Sequence, residues 1–158
     1  MPSLSHEEAR ARLAAAPVAR LATVSPDGRP HVVPITFAVA RGSVFTAVDH
    51  KPKTSRDLRR LANLRANPRA AVLADHYDED WDRLWWVRAD GRARVLSEPS
   101  AMAAPLDLLA GRYPRYRDRR PDGPVIEIVI DRLVGWTASG VTAPPPERPE
   151  APRRRRSP

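Results

Sequence analysis

The order of apolar and polar positions divides the chain into short segments. Ser5 with Glu8 three residues on forms a capping box, and Ala9, Leu13 and Ala16 make an apolar stripe that ends at Pro17. This predicts a first helix. Val18 to Val24 then reads as a strand, closed by the turn signal Ser25-Pro26-Asp27-Gly28. His31 to Ala40 reads as a second strand interrupted near Pro34, and Ser43 to Asp49 as a third after an Arg41-Gly42 turn. Thr54 or Ser55 can cap a helix that runs to about Ala66, and Asn67-Pro68 stops it. Ala70 to Asp75 is a fourth, apolar strand. Leu84 to Leu96 is a long fifth strand with a bulge or tight bend at Asp90-Gly91. Ser100 can cap a helix from Ala101 to about Arg112, and Val125 to Val134 is the sixth strand after a polar loop. Six strands with three interspersed helices and short connections predict an α+β chain, mainly β, built as a six-stranded antiparallel barrel.

Composition adds boundaries. Of the 18 prolines, six fall in the last 15 residues, beside Arg153 to Arg156. Residues 141–158 are therefore expected to be a disordered tail. Residues 1–140 are expected to form one domain, large enough for a real core. There is no cysteine, so disulfides, thiolate metal sites and cysteine nucleophiles are excluded. No apolar run is long enough for a membrane helix and the N-terminus lacks a signal-peptide core, so a cytoplasmic location is expected. The net charge of +8 suits anionic ligands of many kinds and does not choose among them.

Charge becomes informative at one point. Only two of the 27 basic residues are lysines, and they are Lys51 and Lys53, on either side of Pro52. Proline stiffens the backbone between two compact cations, and Thr54-Ser55 opens a helix whose free amides favour an anion. His50 adjoins them and can donate to a phosphate. Trp85 and Trp86 are neighbours on a strand, so their rings point to opposite faces: one can fill the core, and the other needs a helix, a ligand or a second subunit. The carboxylates around His76 lack the glycine and spacing of a calcium loop, and no metal site is expected. No nucleophile triad or glycine-rich dinucleotide loop is present, and no catalytic residue is assigned.

Four segments together resemble the pyridoxamine-phosphate-oxidase-like split-barrel superfamily of flavin and deazaflavin oxidoreductases. They are Ala19 to Val24 with Pro26 to His31, Val44 to Val48 leading into Lys51 to Thr54, Leu58 through Val72, and Asp75 to Trp81 with Leu84 to Arg88. The last two are similar to a branch that uses coenzyme F420. The resemblance covers roughly residues 5 to 137 and implies a homodimer with its cofactor in clefts between the subunits. It implies that Lys51 and Lys53 hold the cofactor's phosphate tail, with Arg56 nearby; His50 and Thr54 join them as candidates on their own chemistry. It places Thr46 and Val48 along the ring system and the backbone of Pro34 and Ile35 against it. Trp85, Trp86 and Arg88 are expected to line the cleft of such an enzyme.

The expected activity is hydride transfer between F420 and a small conjugated substrate. FMN and a pyridoxamine-phosphate-oxidase-like reaction are the alternative, and a non-catalytic cofactor or nucleic-acid binder is a further one. The body lacks the aromatic and basic strand motifs of RNA readers, which disfavours nucleic acid.

Overall fold

The computed structural model describes residues 3–48 and 55–139, with only the backbone given for 55–58. The capping box forms as its spacing predicts. The Ser5 N–H donates to Glu8 Oε2 at 2.8 Å, the Glu8 N–H donates to Ser5 Oγ at 3.2 Å, and α1 runs from His6 to Ala15. Strands β1 (Ala19–Val24), β2 (Pro30–Ile35), β3 (Ala38–Ala40) and β4 (Ser43–Ala47) follow, then α2 (Ser55–Ala66) and β5 (Arg69–His76). A 3-10 turn at Trp81–Arg83 leads into β6 (Trp85–Leu96). Helices α3 (Pro99–Arg112) and α4 (Pro114–Asp118) precede β7 (Val125–Thr137).

Among the described residues, seven strands form one antiparallel sheet in the order β2-β1-β5-β6-β7-β4-β3. The expected count of six is corrected at the second strand, which divides at Thr36-Phe37. The break lies two residues beyond Pro34 and is held from outside the strand by side chains of α3 and α4, described below. β2 and β3 are the two edges of the sheet, yet only Thr36 and Phe37 separate them in sequence. The sheet must therefore curl until its edges meet, which makes it a split barrel.

Alternation then sorts the side chains. On β6, Trp85, Val87, Ala89, Gly91 and Ala93 are buried while Trp86, Arg88, Asp90 and Arg92 between them face outward. The inner face joins Leu21, Val72, Val87, Ile126 and Ile128 into the main core, closed at its ends by Leu13 of α1 and by Leu61 and Leu64 of α2. A second cluster lies on the outer side of β4, where Met102, Leu106 and Leu109 of α3 and Tyr116 of α4 cover Phe45 and Ala47. Every residue of β4 is consequently buried.

The bulge predicted at Asp90-Gly91 is present, but the extra residue sits on the opposite strand. Asp90 pairs with Arg132 and Gly91 with Ile130, so Asp131 is the unpaired residue. Gly91 lets the two backbones close at this point, because a Cβ there would land on the Val129 carbonyl oxygen. Two further boundaries differ from expectation. α3 starts at Pro99 with Glu98 in the cap position and no side-chain cap, since proline's fixed φ already suits the first helical position. The loop after it contains α4, also opened by a proline.

Candidate functional site

The corner where β2 breaks into β3 is braced by side chains from α3, α4, the residue between them and β4. Phe37 is fully buried, and its backbone N–H donates to the Tyr113 hydroxyl at 3.0 Å. That hydroxyl donates in turn to Phe37 O at 3.0 Å or Pro17 O at 3.1 Å. Arg112 donates to Phe37 O at 2.5 Å and also to Ala16 O, with its guanidinium carbon 4.7 Å from the centre of the Phe37 ring. Tyr116 and Thr36 share a hydroxyl–hydroxyl bond of 2.9 Å, and Thr46 Oγ1 donates to Thr36 O at 2.8 Å. Burial pushes the Tyr113 phenol above its ordinary value, against the opposing effects of the Phe37 backbone and the Arg112 charge.

The expected cofactor-wall residues distribute around this corner. Ile35 is buried and Pro34 exposed at the end of β2. Thr46 and Val48 are both buried; the Thr46 hydroxyl is engaged with Thr36, and the Val48 N–H donates to Pro124 O at 3.0 Å. The backbone of this stretch, rather than its side chains, is what it can offer a ligand. His50, Lys51, Lys53 and Thr54 lie outside the described residues, as does the side chain of Arg56. The described chain stops at Val48 and resumes at Ser55, the first residue of α2.

The tryptophans separate as neighbours on a strand must. Trp85 is buried in the main core with the Arg12 guanidinium 5.4 Å from its ring centre. Trp86 is half-buried on the outer face, between Trp136 on β7 and Asp75 on β5. Arg88, also outward, grips Asp90 with two bonds of 2.8 and 3.0 Å. The register settles how far these lie from Thr46. Thr46 pairs with Ile126, which pairs with Val95, nine positions along β6 from Trp86. At about 3.3 Å per residue that is roughly 30 Å of strand. One chain therefore does not bring Trp86 and Arg88 to the Thr46–Val48 wall.

Two features escaped the sequence reading. Glu127 is a buried carboxylate, held by Ser43 Oγ at 3.0 Å and Arg94 Nε at 2.5 Å. A lone acid in the apolar run Val125 to Ile130 is a signal that such a partner exists. The Glu127 contact raises the Arg94 pKa above its ordinary value. The second feature is a cavity of ≈ 480 Å3 on the outer face, with Ala22, Val24 and Ala71 as apolar wall and Arg69, Arg92 and Asp131 at its charged end. Arg69 and Arg92 are direct cross-strand partners, so only the fold reveals their proximity. In the β5–β6 loop, His76 bonds Asp78 at 2.8 Å and Asp78 accepts the Asp80 N–H at 2.9 Å. Local bonds of this kind shape the acidic stretch.

An antiparallel split barrel with a braced β2–β3 corner defines the fold class. The particular family is then direct: residues 5–137 match the pyridoxamine 5'-phosphate oxidase family model, and the chain belongs to that family. Solved structures agree. A conserved hypothetical protein of Mycobacterium tuberculosis is 25% identical with a TM-score of 0.71, covering 89% of each chain. An FAD-binding protein of Mesorhizobium loti is 24% identical with a TM-score of 0.65, covering 84% of this chain and 94% of its own. A heme storage protein of Vibrio cholerae shares the fold at 18% identity and a TM-score of 0.59, covering 80% and 88%. No curated protein matches the sequence significantly. No helix among the described residues is long and apolar enough to cross a membrane.

Proposed function

We propose that this chain is an oxidoreductase that holds coenzyme F420 between two copies of itself and reduces a small conjugated substrate. The observation that supports this most is the braced Ile35–Thr36–Thr46 corner, in a chain that belongs to the family over residues 5–137. From that corner the chain passes through Val48 directly into the segment carrying both lysines. In this reading Lys51, Lys53, His50 and Thr54 hold the anionic tail, with Arg56 beside them, and ammonium and hydroxyl donors converge on it. Pro34, Ile35, Thr46 and Val48 present rigid backbone along the ring. Trp86 and Arg88 line the cleft from the other copy, because their own chain keeps them far from Thr46. Trp85 supports that strand from the core.

When bound, the reduced deazaflavin supplies the hydride, and the protein's task is to orient it and exclude water. Family membership and the FAD-binding neighbour favour FMN as the second reading. Titrating purified protein separately with F420, FMN and hemin, followed by absorbance and fluorescence, decides among these. One F420 per chain is expected, with affinity at least tenfold weaker in the Lys51→Ala, Lys53→Ala double variant. That follows from roughly 1.5–3 kcal/mol for each charge-assisted bond lost. Stoichiometric FMN or hemin binding without F420 binding refutes the F420 reading.

A further inference from the structure

We propose that the cavity on the outer face of the sheet binds a small monocarboxylate with an apolar body, at a site separate from the braced β2–β3 corner. At ≈ 480 Å3 the cavity falls within the size range of small-ligand pockets. Its shape follows from the side chains that neighbouring strands bring together. Ala22 of β1 and Ala71 of β5 are direct partners, and two alanines side by side leave a hollow. Val24 and Pro30, paired at the end of the first hairpin, wall it on one side. The floor is held by backbone bonds. The Arg69 N–H donates to Asn67 Oδ1 at 3.1 Å, and the Ala93 N–H donates to Pro68 O at 2.7 Å, which fixes the start of β5 against β6.

The charged end of the hollow is out of balance. Arg69 and Arg92 oppose each other directly across β5 and β6, which sets their Cβ atoms about 5 Å apart, and like charges so placed destabilise a strand pair. Among the described residues, Asp90 and Asp131 are the two carboxylates that line the cavity. Asp90 is already taken by Arg88, through bonds of 2.8 and 3.0 Å. Asp131 approaches Arg92 only to 3.8 Å, with both side chains more than half exposed, and Arg69 has no ion-pair partner among the described residues. One positive charge is left over. A carboxylate is the anion that planar guanidinium forks take best, and a single negative charge cancels the surplus. A dianion would meet the Asp131 carboxylate instead. Asp131 is itself the extra residue of the β7 bulge, a device that re-aims a side chain beside a site. The register keeps this place apart from the Thr46 wall. Arg92 pairs with Val129, three positions from the Ile126 that pairs with Thr46, and an odd step puts the two on opposite faces of the sheet.

The test uses the full chain with phenylacetate as the probe. Phenylacetamide removes the charge from that probe, and inorganic phosphate removes the apolar body. Calorimetric titration should show one phenylacetate bound per chain and no saturable binding of the other two. The Arg69→Gln, Arg92→Gln double variant should bind phenylacetate at least tenfold more weakly, with an unchanged circular-dichroism spectrum because both side chains are exposed. Ala71→Leu fills the hollow and leaves both arginines in place, and it should weaken binding as well. Asp131→Asn should tighten binding about two- to fivefold by removing the carboxylate that competes for Arg92, a gain that a purely structural role for Asp131 would not produce. Absence of saturable phenylacetate binding, a double variant within tenfold of wild type, or phosphate bound as tightly as phenylacetate overturns the proposal. So does an Asp131→Asn variant that binds no better than wild type. Displacement of phenylacetate by F420 or FMN would overturn the separation from the cofactor corner. Phenylacetate bound by a chain that takes up neither cofactor would refute the cofactor reading and leave this site standing.

Discussion

Replacing Tyr113 with Phe isolates the brace at the β2–β3 corner. The ring remains, with its edge contact to Tyr116 at 5.7 Å between centroids, and only the hydroxyl is lost. Phe37 O keeps Arg112 as a donor, and Pro17 is exposed enough for its carbonyl to take water. The loss therefore concentrates on the Phe37 N–H, which belongs to a fully buried residue and has no solvent to turn to. A buried donor left without a partner costs about 1–3 kcal/mol. Urea unfolding should show a decrease of about 2 kcal/mol with an unchanged m value, or a Tm lower by roughly 4–8 °C for a chain of this length. A pH signature accompanies it. The folded-state pKa of Tyr113 is raised above 10.0, so wild-type stability is intact below that value and declines as pH rises through the folded pKa. The variant lacks that decline, and the difference between the two should narrow above pH 10.0. A loss below about 0.5 kcal/mol, or a difference that stays constant through the alkaline range, would refute the claim that this hydroxyl holds the corner.

Two other substitutions probe features away from that corner. Gly91→Ala places a methyl against the Val129 carbonyl and should cost about 3 kcal/mol by forcing the β6–β7 bulge apart, measurable as a lower denaturation midpoint. Glu8→Gln removes the charged half of the capping box. The Glu8 pKa is lowered mainly by the Ser5 hydroxyl and backbone N–H, so its contribution is present above 4.5 and fades as pH falls through the folded pKa. Thermal melts should separate wild type from variant at pH 7 and converge in acid; parallel curves across the range would contradict the assignment.

Much of the sheet was readable because strands announce themselves locally. The α1 capping box, the turn at Ser25 to Gly28 and the alternation along β6 all depend on neighbours within a few residues. What escaped was set from afar. Proline at position 34 signalled an interruption, but the break falls at Thr36-Phe37 because Arg112, Tyr113 and Tyr116, more than 70 residues away, bond that backbone. A glycine near a bulge does not say which strand holds the extra residue, and here Asp131 rather than Asp90 is unpaired. For the candidate site, sequence chemistry singled out Lys51 and Lys53, which lie outside the described residues. It could not foresee that Thr46 and Trp86 would stand nearly a strand's length apart. The barrel brings together what pairing allows, and spacing in sequence carries no such information.

The two-residue step from β2 to β3 bears on how the chain is made. Both rims of the sheet are present once the first 48 residues have left the ribosome, as two hairpins joined at Thr36-Phe37. Every strand that fills the space between them comes later, beginning at Arg69, and β4 meets no inner neighbour until β7 is complete. The rims must therefore wait for the middle. An emerging chain carries unmatched strand edges until β7 has appeared, which is when a nascent barrel is most open to pairing with the wrong partner.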